Sequence, residues 1–186
     1  MKPLIKLAEG IDRFSHRTGT IVSWLALAMI LIGAFNALAR TLARDFGVDL
    51  SSNAFIELQW YMFSVLFLAG AAYTLKHGAH VRVDVLYGQL PSKGKVWINL
   101  VGAVIFLIPF SVLMIWVSWS SVVNSWTVLE QSPDPGGLPR YPIKTLVPIA
   151  FVLLIVQGIS EIIKNIAKLR GYLPLDEVEP QEVEVI

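Results

Sequence analysis

Residues 96–129 read VWINLVGAVIFLIPFSVLMIWVSWSSVVNSWTVL and carry no charged side chain. As a helix this run is about 50 Å long, whereas a hydrocarbon core of about 30 Å needs roughly 20 helical residues. The run therefore reads as a membrane-spanning helix that tilts within the bilayer or overshoots it. Three further uncharged runs accompany it. GTIVSWLALAMILIGAFNALA occupies residues 19–39, a second runs from Leu58 to Leu75 and is entered through Glu57, and a third runs from Thr145 to Ser160. None shows the in/out alternation of barrel strands, and a helix satisfies its own backbone polar groups in lipid. The fold class is an all-α integral membrane protein with four transmembrane helices, at about 19–39, 57–75, 96–126 and 143–163.

Composition agrees. The chain has 186 residues, of which 55% are hydrophobic and 16% charged, against roughly 25% charged in a soluble domain. Its mean hydropathy is +0.62. A net charge of +1 supplies no basic field for a polyanion, so nucleic acid is not an expected partner. The absence of Cys removes thiol catalysis, iron–sulfur clusters and Cys-ligated zinc together.

The cations sort across the membrane. Lys2, Lys6, Arg13, Arg17, Lys76, Arg82, Lys93, Lys95, Lys164, Lys168 and Arg170 fall on one side; Arg40, Arg44, Arg140 and Lys144 fall on the other. By the positive-inside rule both termini are cytoplasmic, an N-in/C-in topology. The ALAR ending the first run resembles a signal-peptide cleavage site, but the apolar run exceeds the 7–15 residues of a signal core.

The segments outside the spans have characters of their own. In residues 1–18, Leu4, Leu7, Ala8, Ile11 and Phe14 recur at helical spacing, with Lys6, Glu9, Asp12, Arg13 and Arg17 on the other side. This predicts an amphipathic interfacial helix, the plainer reading being a frayed basic leader. Between spans 2 and 3, Asp84 and Pro91 bracket a second short interfacial helix. There His80, Arg82 and Asp84 read either as a polar cluster that fixes this inner turn or docks a partner, or as a helix cap among ordinary positive-inside charges. The connection EQSPDPGGLPRYPIK (residues 130–144) carries Pro133, Pro135, Pro139 and Pro142. Proline fixes φ and removes donors, so this is a stiff irregular outer loop, suited to docking or serving only as a connector. Residues 171–186 form an acidic, Pro-punctuated tail expected to be disordered.

Chemistry at membrane depth is missing from the sequence. His16, His77 and His80 lie outside the spans, so no haem is held between helices, and no HExxH or phosphate loop occurs. Glu57 and Glu161 are the only acids near span ends; each reads as an interfacial structural residue more readily than as an ion site. The AGAA patch (residues 69–72) and Gly33, Ala34 and Ala37 suit close helix packing, with Asn36, Asn99, Asn124 and Gln157 available for bonds across helices. Aromatics including Trp60, Tyr61, Tyr87, Trp97, Trp119 and Trp126 mark interfacial belts. No catalytic, cofactor or metal site is expected, and no enzyme.

Taken in order, Glu57, the span with AGAA, Gly78 and HVRVDVL (residues 80–86), followed by two more spans, resemble the small membrane subunit, DctQ type, of tripartite ATP-independent periplasmic (TRAP) transporters. The segment from Glu130 through SPDPGGLPRYPIK to QGISE (residues 157–161) is similar to a mannitol/chloroaromatic-like carboxylate subgroup. The resemblance spans roughly residues 5–170. It implies a multi-pass subunit of the bacterial inner membrane that packs as a scaffold on a large multi-helix subunit. That partner would carry the substrate and sodium sites and work as an elevator on an organic anion brought by a periplasmic substrate-binding protein. Glu57, Trp60, Glu130, Arg140 and Lys144 are the expected outer partner surface; His80, Arg82 and Asp84 the inner structural cluster. Membrane lipid is the remaining partner. Two other readings stand beside this one: a membrane anchor of a redox complex, and a small self-associating exporter.

Overall fold

The computed structural model describes residues 1–46, 52–79 and 87–175. Among these, four helical stretches are long and apolar enough to cross a membrane. Helix α1 (Lys2–Phe46) is followed by α2 (Asn53–Lys76), then α3 (Ser92–Val101), which continues through a π-helical segment (Gly102–Leu107) into α4 (Ile108–Thr127), and last α5 (Tyr141–Leu169).

Helix α1 is a single helix of 45 residues, about 67 Å long. Residues 2–17 are helical as expected, but they run straight into the first span. After Pro3, which suits a first turn, the stretch has no further proline to break it, and its internal glycines only weaken a helix. What the sequence did not indicate is that the polar side of this stretch packs on the bundle. Leu4, Leu7 and Phe14 are exposed, whereas Ala8 and Ser15 are buried and Asp12 reaches α5. Polar side chains on such a helix find partners inside the bundle, and large apolar ones are left facing outward.

The same inversion holds throughout. Among the described residues, Ala and Val are the aliphatic side chains that are buried, while Ile21, Phe106 and Trp116 are 70%, 70% and 76% exposed. Buried polar residues include Asn36, Glu57, Ser111, Ser125, Gln157 and Ser160. A soluble core would sort these residues the other way.

Helix α5 touches every other helix. Gly158 makes one of these approaches possible: a Cβ there would lie 2.8 Å from the Leu107 side chain. Between α1 and α2, a Cβ on Gly33 would meet Gln59 at 2.9 Å and one on Gly19 would meet the Tyr73 ring at 2.2 Å. Ala69 and Ala72 of the AGAA patch are buried as expected. Asn36 does not make the expected bond across helices: its Oδ1 is buried without a partner among the described residues. Asn124 is exposed instead.

The third span changes hydrogen-bond register where its sequence demands it. Pro109 has no N–H, and its ring would crowd the carbonyl of Ile105. Directly before it the helix widens into the π segment, with the Ile108 N–H bonding the Ala103 carbonyl. Pro148, unnoticed as an interior proline in the sequence, is buried within α5, which continues through it.

Successive spans run in opposite directions, so the start of α1 and the end of α5 meet at one end of the bundle. The other end is closed by residues 128–140. Two polar clusters mark these ends.

Candidate functional site

At the loop end, Glu57 lies one turn into α2, whose start is capped by the Ser52 hydroxyl accepting from the Ala54 N–H at 3.2 Å. Glu57 is 3% exposed. One carboxylate oxygen accepts from the Ser132 hydroxyl and the other from the Leu138 backbone N–H. Both donors belong to the proline-rich loop. Gly137 makes the approach possible, since a Cβ there would lie 2.7 Å from Glu57 Oε2 and 2.5 Å from Ser132. Gly136 has φ +73°, a conformation that glycine adopts without strain.

Two more residues of α2 hold the same loop. Asn53 donates to the Pro135 carbonyl at 3.1 Å, and the Tyr61 hydroxyl donates to the Pro139 carbonyl at 2.6 Å. Prolines leave their carbonyls free to accept while contributing no donor, so α2 supplies what the loop lacks.

The loop's two ends are tied as well. Helix α4 finishes with Leu129 at φ +47°, the Leu129 N–H on the Trp126 carbonyl and the Glu130 N–H on the Ser125 carbonyl at 3.0 Å. This is the doubled closing turn that usually has Gly at the left-handed position. It turns Glu130 back, so that its carboxylate accepts from the Ser125 hydroxyl at 2.7 Å and from the Lys144 ammonium of α5. The Lys144 hydrogen bond, followed by that from Ser125, holds Glu130 below the ordinary carboxylate range. The Arg140 N–H donates to the Glu130 carbonyl at 2.8 Å, closing the loop on itself. Its guanidinium lies over Trp60, 6.0 Å from the ring centroid. Trp126 donates to Thr145 Oγ1 at 2.8 Å and packs edge-on against Tyr141.

Glu57, Trp60, Glu130, Arg140 and Lys144, far apart in the sequence, therefore converge on one structure. Most of their charge is used within it: Glu57 and Glu130 are bonded to the loop and to Lys144.

At the opposite end, Asp12 and Ser15 of α1 meet Gln157, Ser160 and Lys164 of α5. Asp12 Oδ1 accepts from Ser160 at 2.7 Å and from Gln157 at 2.9 Å, and Oδ2 pairs with Lys164 at 3.0 Å. Ser15 donates to Gln157 Oε1 at 2.6 Å. Glu161 pairs with Lys164 at 2.5 Å, the three-residue spacing read from the sequence. The bond expected from Gln157 across helices is therefore present. Asp12, Ser15 and Ser160 were missed: Asp12 looked like the solvated side of an amphipathic helix, and only the i, i+3 pairing of Asp12 with Ser15, facing Gln157 and Ser160, could have suggested otherwise. His80, Arg82 and Asp84, with the short helix expected there, lie outside the described residues.

Among the described residues the arrangement is two polar clasps at the ends of an apolar bundle. The sequence matches the family described as tripartite ATP-independent periplasmic transporters, DctQ component, over residues 29–168, about three quarters of the chain. The chain belongs to the DctQ family. This DctQ chain is also 24% identical over 176 residues to the ectoine TRAP transporter small permease protein TeaB of Halomonas elongata, covering 92% of this chain and 89% of that one. No solved structure matches it. The DctQ component is a transporter part, consistent with a non-enzymatic subunit. Its membership implies, in general, a large membrane subunit and a periplasmic binding protein beside it. Neither comparison supports the mannitol/chloroaromatic subgroup.

Proposed function

We propose that this DctQ chain is the scaffold subunit of a sodium-gradient-driven TRAP transporter in the bacterial inner membrane. In this reading it packs on the large elevator subunit, and an organic anion is delivered by a periplasmic binding protein. The end bearing both termini faces the cytoplasm, because the basic residues gather there. The loop end then faces the periplasm and helps to dock the binding protein. The observation that carries this is the loop held by Glu57: a proline-rich segment fixed by bonds from three residues of α2 offers a preset surface, with little ordering entropy left to lose on docking. A mere connector between α4 and α5 has no need of such bonds to a third helix. The exposed start of α1, with Leu4, Leu7 and Phe14 outward beside Lys2 and Lys6, suits the cytoplasmic interface.

Reconstitution tests the assignment. Liposomes holding this chain alone should show no flux. Those holding it with the large subunit and supplied with loaded binding protein should take up solute only under an inward sodium gradient. Flux through this chain alone would replace the scaffold reading with that of an independent exporter.

A further inference from the structure

Arg140 stands apart from the other charges of the loop end. Its Nε is buried and has no hydrogen-bond partner among the described residues. Its charge acts on Glu57 and Glu130, yet both Glu57 oxygens are taken by Ser132 and Leu138 and Glu130 Oε2 is shared by Ser125 and Lys144, while Glu130 Oε1 lies outside hydrogen-bonding reach of the guanidinium. Lys144 is committed to Glu130. Among the described residues Arg140 is thus the cation of this cluster that makes no side-chain ion pair, and it is held in place by its own backbone bond to Glu130 and by the Trp60 ring beside it.

A desolvated guanidinium donor without an acceptor is unfavourable, and the planar fork of Arg is matched best by a carboxylate bound through two parallel hydrogen bonds. The Trp60 ring, 6.0 Å from the guanidinium, gives the charge a cation–π neighbour, and the planar fork is a shape that a Lys in its place could not reproduce. The direction of approach follows from the fold. Residues 130–140 lie across the ends of α2, α4 and α5, bonded to Asn53, Ser125 and Lys144, so a partner meeting this face comes along the bundle axis. A neighbour within the membrane would meet the sides of the helices.

We infer that Arg140, beside Trp60, is the receptor for an acidic side chain of the periplasmic binding protein. This rests on the docking reading above and adds to it the residue and the chemistry of its partner. When the two proteins meet, a carboxylate would displace water from the part of the half-buried guanidinium beyond Nε and pair the charge that no side chain matches among the described residues.

The test is titration of the binding protein onto the two membrane subunits together in lipid nanodiscs. Arg140→Gln should weaken binding roughly 30-fold or more, mainly through a faster off-rate. Arg140→Lys should fall between Gln and the native residue, because it keeps the charge and loses the fork. Glu9→Gln, exposed at the opposite end of the bundle, should bind as the native complex does, and co-purification of the two membrane subunits should be unchanged in all three. Native affinity in Arg140→Gln or in Arg140→Lys would overturn the assignment of Arg140 while leaving the docking reading in place. Loss of the large subunit from Arg140→Gln would put the acceptor on that subunit, and overturn it as well. A native complex that binds no binding protein at all would refute the docking reading itself.

Discussion

Glu57 accepts a hydrogen bond from the backbone N–H of Leu138, 81 residues further along the chain. The bond joins the first turns of the second span to the middle of the loop between the third and fourth. It gives a glutamate at the mouth of a helix a partner other than the helix dipole. With Ser132 on the other oxygen, the carboxylate bridges two points of the loop and sets its shape.

Replacing Glu57 with Gln leaves the volume unchanged but removes one of the two acceptors. An amide can turn its oxygen to the Leu138 N–H and donate its NH2 to the Ser132 hydroxyl, but both bonds then lose the charge-assisted strength that the carboxylate gives them. The loop should loosen while the four spans stay assembled. The chain has no Cys, so a spin label on a single Asp134→Cys site, exposed in the same loop, reports this directly. A sharper, more mobile spectrum in Glu57→Gln is expected, with helix content unchanged; an identical spectrum would refute the clasp.

Gly137 is the backbone side of the same contact. A Cβ there would overlap Ser132 and the Glu57 carboxylate, and such overpacking typically costs about 1–3 kcal/mol. Gly137→Ala should lower the thermal midpoint of the purified subunit and raise the label mobility as Glu57→Gln does. Combined with Glu57→Gln, the two effects should be less than additive, because both act on one contact.

How much of this the residues disclose depends on the range of the interaction. The four spans were legible because a run such as 96–129 admits one reading in lipid. The five outer residues were legible as a group, since each lies beside the outer end of a span or within the loop. What they do there was not. Nothing near Glu57 in the chain points to Ser132 or Leu138, and Gly137 reads as a turn residue until the carboxylate is seen against it. At the other end, hydrophobic periodicity separates the two sides of α1 but does not disclose that the side bearing Asp12 packs on α5. A pattern that predicts burial in water predicts exposure in lipid, so Leu7 and Phe14 point out and Asp12 points in.

Asp12 and Lys164 test that inversion. Asp12→Asn keeps the bonds with Ser160 and Gln157 within reach but removes the ion pair, while Lys164 keeps Glu161. The pair is partly exposed, so the expected loss is only about 1 kcal/mol. Ser160→Ala, which removes a fully buried donor from Asp12, should lose about 1–2 kcal/mol. If the start of α1 were a free interfacial helix, neither substitution would change the thermal midpoint, nor would protease cut the start of α1 sooner.

Acid should open the loop end through Glu130. Its carboxyl titrates below the ordinary value of 4.5, chiefly because Lys144 and then Ser125 donate to its ionised form. A group whose pKa is lower folded than unfolded contributes stability that is fully present above the unfolded value and lost as pH falls through the folded one. Stability should therefore be level in this respect from neutral pH down to about 5, and fall below 4.5 as Glu130 takes up its proton. Glu130→Gln isolates this contribution from those of other carboxylates. It should lower the thermal midpoint at pH 7, where the native chain has the ionised pair, and the gap from the native chain should narrow as pH drops below 4.5. A gap that stayed constant across that window would show that Glu130 is not held ionised by Lys144 in the folded protein.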